Sequence, residues 1–190
     1  STLHDFTKPL DFEEILKITR NFHKIENPQS KLIELSDIMC DFYEFEEKDK
    51  QTFLIASSLC NIGKLTLSKD ILEKTAELDI YEIEKIKTYP YYTKKILQNT
   101  IGFSDKSSWA SKIQERLDSS GYIQTLGAKD LTLKDRLLQS LYAYNAIRQN
   151  KAYRDAFSHE EAIELLKFEA RENRFAITII EDLDKILKES

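Results

Sequence analysis

An all-α bundle of about seven to nine helices is what this sequence predicts, and three observations carry that expectation. Apolar residues recur at spacings of three and four in every long segment, and strict alternation never runs beyond a few residues. Only 4 glycines and 3 prolines punctuate the 190 residues, too few for the turns of an all-β chain. With 41% hydrophobic residues there is enough apolar material for one substantial core, hence one main domain.

Residues 1–10 read as a tether. Asp11 is placed to cap a helix over 12–25, where Phe12, Ile15, Thr19, Phe22 and Ile25 form one apolar stripe. Two readings stay open for residues 11–27: a helix packed on its own core, or a dimerising helix that passes a signal from an upstream module. Asn27-Pro28 breaks it, and the remainder, 28–190, is the main domain. A second helix over 30–43 points Leu32, Ile33, Leu35, Ile38, Met39 and Phe42 inward. The acidic run 41–49 is a solvated turn and helix start. Phe53, Leu54, Ala56, Ser57 and Leu59 then lead to Cys60-Asn61, where a buried thiol is the plain expectation.

Further on, Asp79 and Glu82 have capping-box spacing for a helix over 80–88, and Pro90 sits at a helix start, where its missing N–H costs nothing. Gly121 and Gly127 fall in the longest irregular stretch, between Asp118 and Asp130, a place where binding residues tend to lie. Thr132 caps a helix over 133–149 with Leu137, Leu138, Leu141, Tyr144 and Ile147 inward. Ser158 and Glu161 make a second capping box with His159 in the first turn, and an amphipathic helix over 176–187 ends the domain.

Charge and composition exclude several classes. A formal net charge of -5 disfavours nucleic-acid and anionic-membrane binding, although a local basic pocket is compatible with it. No apolar run reaches membrane-spanning length and no signal-peptide pattern is present, which predicts a cytoplasmic protein without membrane insertion. Two isolated cysteines, Cys40 and Cys60, fit a reducing compartment. The three histidines, His4, His23 and His159, are dispersed, and a transition-metal centre of the usual kind needs several imidazole or thiolate ligands. No cofactor is therefore expected.

The segment from Ser57 to Lys64, Ser-Ser-Leu-Cys-Asn-Ile-Gly-Lys, resembles the "LLHDIGK" signature of the HD-GYP family, metal-dependent phosphodiesterases that hydrolyse cyclic di-GMP. The likeness continues along the chain. Residues 65–74 resemble "I-x-I-P-D-x-I-L-x-K" with Ser68 for the proline; 89–97 resemble "H-P-x-x-G-x-x-I-L"; 114–123 resemble the tail of "H-H-E-R-W-D-G-S-G-Y-P". Residues around Arg136 are similar to "A-R-I-L-A-V-A-D-V-Y-D-A-L", and 151–162 to "R-P-Y-R-x-A-x-S-H-E-E-A". More loosely, Pro28 and Lys31 stand near the histidine and arginine of "H-x-x-R-V".

The resemblance implies an HD-GYP-like helical bundle whose metal-ligand positions hold Cys60, Asn61, Tyr89, Ile113, Gln114 and Tyr142, and so a degenerate member without catalytic residues or metal. Phenols stay protonated near pH 7 and are poor divalent-metal ligands, and isoleucine is none. Tyr89 and Tyr142 would fill the vacated space, with Asn61 and Gln114 as candidate hydrogen-bond partners. By the same resemblance Lys64 contacts substrate phosphate, so Lys64, Arg116, Lys151 and Arg154 are candidates for an anion pocket, the alternative being surface charges. The "GYP"-like Ser120, Gly121 and Tyr122 imply an interaction loop, notably for diguanylate cyclase domains, with Tyr122 as anchor or as loop packing.

Three functions stay open: a catalytically inactive module of bacterial signalling that binds a protein partner or cyclic di-GMP; a structural or oligomerising domain, such as a homodimer, within a larger sensor; and a residual hydrolase using Glu115 and Asp118 with magnesium.

Overall fold

The computed structural model describes residues 11–100, 103–151 and 154–188. The expected tether, residues 1–10, lies outside them. Among the described residues nine α-helices of seven residues or more carry the fold: α1 (Phe12–Glu26), α2 (Leu32–Phe42), α3 (Glu47–Leu59), α5 (Ile80–Ile86), α6 (Tyr89–Gln98), α7 (Ser104–Ala110), α8 (Leu133–Ile147), α9 (His159–Arg171) and α10 (Ile177–Leu187). A 3-10 turn, Ile62–Thr66, and the single turn α4, Lys69–Leu72, link α3 to α5. The one β-type pairing among them is the isolated bridge of Lys151 with Arg154. The all-α expectation holds.

Local chemistry starts these helices where the sequence says they start. Asp11, Asp79, Thr132 and Ser158 each accept from the N3 backbone N–H while the N3 side chain reaches back to the cap, so four helices open on complete capping boxes. α3 is the centre of the bundle. Its residues 53–59 are buried without a break, and α1, α2, α7 and α8 pack around it, which is why it shows little amphipathic character. On the far side α8, α9 and α10 pack together; His159 is hydrogen-bonded to Tyr144 Oη at 2.8 Å and to Asp184 Oδ1 at 2.9 Å, tying the three.

Two helix faces differ from expectation. In α1 the buried face is Leu16, Thr19 and His23, whereas Ile25 is 83% exposed. Thr19 donates to the Leu16 carbonyl at 3.2 Å and His23 is hydrogen-bonded to Ser30 at 2.7 Å. Thr19 is buried as expected and Phe12, Ile15 and Phe22 pack against the core, so the departure is confined to Ile25 at the end of the stripe and to the added burial of Leu16 and His23. In α2, Ile38 and Phe42 are exposed by 41% and 38%, while Ser36 and Cys40 are buried. There the face is set by neighbours on three sides, α3, α8 and α10.

Candidate functional site

Where α3 ends, the chain turns through the 3-10 segment against the start of α6. Gly63 makes that approach feasible: a Cβ there would collide with the Tyr89 carbonyl and stand 2.6 Å from the Thr93 amide nitrogen, both α6 main chain. Gly63 N–H donates to Thr93 Oγ1 at 3.0 Å, and that hydroxyl donates to the Cys60 carbonyl at 3.1 Å. The turn therefore delivers Asn61 and Lys64 to the N-terminus of α6.

Four of the six positions singled out in the sequence meet here in one hydrogen-bonded chain. Gln114 Nε2 donates to Tyr89 Oη at 2.9 Å; Tyr89 donates to Tyr142 Oη at 3.1 Å; Tyr142 donates to Asn61 Oδ1 at 2.8 Å. Asn61 Nδ2 then lies 3.4 Å from both carboxylate oxygens of Glu26. Every donor in the series points the same way, from an amide to a carboxylate, an arrangement in which each bond polarises the next. Burial, the first cause in both cases, holds the Tyr89 phenol well above its usual range and raises that of Tyr142. Both are therefore neutral near pH 7.

The other two positions are apolar packing. Cys60 is fully buried, its thiol donating to the Ser57 carbonyl at 3.2 Å, and burial pushes its pKa up, the state of an inert thiol. Ile113 is buried in the core.

The four candidate cations do not form one pocket. Lys64 Nζ lies 5.1 Å from the centre of the Tyr89 ring. Burial opposes its charge, but Tyr142, Glu26 and Cys60 outweigh burial and leave its pKa above the ordinary lysine value. Lys151 is within electrostatic reach; its pKa is lowered by burial first, then by Lys64 and Arg154, with Glu26 acting the other way. Arg116 is instead turned inward, donating to the carbonyls of Ile113 at 3.2 Å and Glu115 at 2.8 Å and lying 4.7 Å from the Phe175 ring. Arg154 donates to the carbonyls of Ile147, Gln149 and Asp155 at 3.4, 3.3 and 3.0 Å. Both arginines are spent on main chain.

Nor does the structure pair Glu115 with Asp118. Glu115 is completely buried and accepts from the amides of Gln124 at 2.7 Å and Leu126 at 3.0 Å, while Asp118 is exposed, accepts from Ser120 N–H at 3.0 Å and faces Arg174 at 3.6 Å. The loop they organise carries Gly121, where a Cβ would stand 2.7 Å from the Arg116 nitrogen. Tyr122 is half-buried, its phenol pushed up to about 12 by burial and then by Tyr142. Lys87 Nζ lies 5.9 Å from the centre of the Tyr122 ring, and the exposed apolar residue of the loop is Ile123. Ser120 is exposed.

Two residues of the centre, Glu26 and His23, escaped sequence reasoning. They sit on the last turns of α1, and the signal available was only their i, i+3 spacing; the partners of Glu26 and His23 that matter are Asn61 and Ser30, reached through folding. His23 Nδ1 has no hydrogen bond and lies 3.9 Å from Glu26 Oε2. Burial, the leading cause, lowers the His23 pKa below 6.5, more than Glu26 and Glu34 raise it. The unfolded state thus binds the extra proton first, and stability should fall as pH drops through 6.5 toward the folded value. Melting curves across that interval should show a declining Tm for the native chain and a flatter profile for His23→Gln, whose baseline is lower.

The HD-domain family profile matches residues 12–179. This chain belongs to the HD-domain family. Among curated relatives, the HD domain is 25% identical over 167 residues to 3'3'-cGAMP-specific phosphodiesterase 3 of Vibrio cholerae, covering 84% of this chain and 36% of that protein. It is 26% identical over 162 residues to cyclic di-GMP phosphodiesterase PdeB of Borreliella burgdorferi, covering 83% and 41%. It spans well under half the length of either. Among solved structures it superposes with a TM-score of 0.71 at 14% identity on Bd1817, an HDG"Y"P protein from Bdellovibrio bacteriovorus, covering 97% of this chain and 75% of that one, a likeness of fold. No helix among the described residues is long and apolar enough to cross a membrane.

Proposed function

We propose that this HD domain is a non-catalytic module of cyclic-dinucleotide signalling, which acts by binding and does not cleave. The observation that carries the reading is the chain from Gln114 through Tyr89, Tyr142 and Asn61 to Glu26, which fills the centre with neutral donors already bonded to one another. Hydrolysing a phosphodiester near pH 7 calls for a metal-bound hydroxide and cations that take up developing charge. Two protonated phenols, two carboxamides and one carboxylate do not fit a divalent transition metal, and among the described residues no group of three or more His, Cys, Asp or Glu side chains converges.

Binding to a protein, such as a diguanylate cyclase-type domain, would use the loop around Ile123 and the neighbouring Tyr91 and Lys94 of α6, which line a cavity of about 250 Å³ with it. A cyclic dinucleotide is the second reading, favoured by Lys64 and Lys151 beside the centre.

The test supplies the purified chain with manganese or ferrous iron and with cyclic di-GMP or 3'3'-cGAMP, and follows linear products and calorimetric heat together. No product is expected. Turnover that disappears in Asn61→Ala would overturn the reading. The protein-binding arm expects Ile123→Asp to weaken the complex with a diguanylate cyclase domain while Tm stays within a few degrees, as a surface change should cost about 0.5 kcal/mol or less.

A further inference from the structure

Beside the phenol chain lies a cavity of about 350 Å³ lined by Phe22, Glu26, Asn61, Lys64, Leu65 and Leu72, with Glu73 at its edge. Its size is that of a small-ligand site. One carboxylate already occupies its polar end. Glu26 reaches in from the final turn of α1, takes both contacts from Asn61 Nδ2 at 3.4 Å, and faces His23 Nδ1 at 3.9 Å. These contacts are long for charge-assisted hydrogen bonds, which run at about 2.7–2.9 Å. The Glu26 side chain keeps 20% of its surface in solvent. Among the described residues it is the carboxylate in contact with the Asn61 amide, but it is loosely held.

We infer that Glu26 is a built-in occupant of a phosphate site formed by Asn61 and Lys64 with Lys151 nearby, so that its side chain closes that site and the withdrawal of that side chain opens it. The inference rests on the reading that the domain binds without cleaving, and it adds the device that regulates binding. The geometry supplies both halves. A carboxamide donor and an ammonium line one cavity, the pairing that a phosphoryl oxygen accepts, and a carboxylate from a separate element already takes the carboxamide's contacts there. Lys64 and Lys151 each feel the Glu26 charge, so its removal leaves two neighbouring cations without their shared anion. Withdrawal needs only rotation of the Glu26 side chain, part of which is already in solvent, since α1 itself stays packed on the core through Phe12, Ile15, Leu16, Thr19, Phe22 and His23.

Calorimetric titration of the intact chain with inorganic pyrophosphate tests this, at fixed ionic strength and with sodium chloride as the blank. The Glu26→Gln protein should bind at least about tenfold more tightly than the native protein, because the amide keeps a hydrogen-bonding oxygen and loses the competing charge. Glu26→Asp, which draws the carboxylate back by one methylene, should fall between the two and serves if Glu26→Gln folds poorly. Adding Lys64→Met to Glu26→Gln should abolish the gain. Glu73→Gln removes an equal charge from the same cavity, where Glu73 is paired with Lys69 at 3.8 Å, and should gain little. A parallel titration with cyclic di-GMP tells a free phosphate from the phosphodiester of a nucleotide: tighter binding of the dinucleotide than of pyrophosphate assigns the latter source.

The inference is overturned if both Glu26 variants bind like the native protein, if Glu73→Gln gains as much, or if the gain survives loss of Lys64. Turnover of a dinucleotide by the native chain would instead overturn the non-catalytic reading alone, since pyrophosphate affinity does not depend on it.

Discussion

Glu115→Ala should lower Tm by about 4–16 °C, the shift expected for a loss of about 2–4 kcal/mol in a chain of this length. The Glu115 carboxylate is fully buried and has no cationic partner among the described residues; its two oxygens are satisfied by the amides of Gln124 and Leu126. Hydrogen bonds to a charged group are worth about 1.5–3 kcal/mol each, which the relief of burying a charge offsets in part. Glu115→Gln should be nearly as damaging. Its NH2 group would face a backbone N–H where a second acceptor is needed, so an isosteric change fails for want of lone pairs, not of volume. Thermal melts of both variants, with limited proteolysis across residues 118–130, check this. An unchanged cleavage pattern would show that the loop is held by something other than Glu115.

Gly63→Ala should cost about 3 kcal/mol, or about 6–12 °C in Tm, with a loss of tyrosine near-ultraviolet dichroism. The added methyl meets the main chain of α6, at the Tyr89 carbonyl and the Thr93 nitrogen, and neither can rotate away as a side chain would. The turn must then retreat from α6, which breaks the Gly63 to Thr93 hydrogen bond and pulls Asn61 from Tyr142. Glycine here serves the centre directly, because the phenol chain spans exactly that seam between the 3-10 turn, α6 and α8. A variant with native Tm and native dichroism would mean that the seam is looser than the structure has it.

The phenol chain also bears on why tyrosine suits this centre. A buried hydroxyl without a partner costs several times what a satisfied one contributes. Tyr89 and Tyr142 satisfy each other, and Gln114 and Asn61 close the two ends. Replacing one phenol by phenylalanine would leave its partner's lone pair or proton unmatched, so the two residues behave as a unit.

What the sequence determined by itself is most of the helices and where four of them begin, α7 being absent from that reading. Asp11, Asp79, Thr132 and Ser158 announce their helices because a capping box is complete within four residues and asks nothing of the rest of the chain. Tyr89, Tyr142, Asn61 and Gln114 were legible as neighbours through resemblance, and their hydrogen bonding through the rule that buried hydroxyls find partners. The tertiary structure alone decided which residues of an apolar stripe stay outside and which charges share a cavity. α1 buries His23 and exposes Ile25, since the packing of α3 fixes its rotation. Arg116 and Arg154 look in sequence like anion binders beside Lys64, yet main-chain carbonyls within a few residues claim them first. Glu26 gives no sign of a role until folding carries the end of α1 to Asn61, thirty-five residues on, because a carboxylate's meaning is set by the charges that long-range packing places around it.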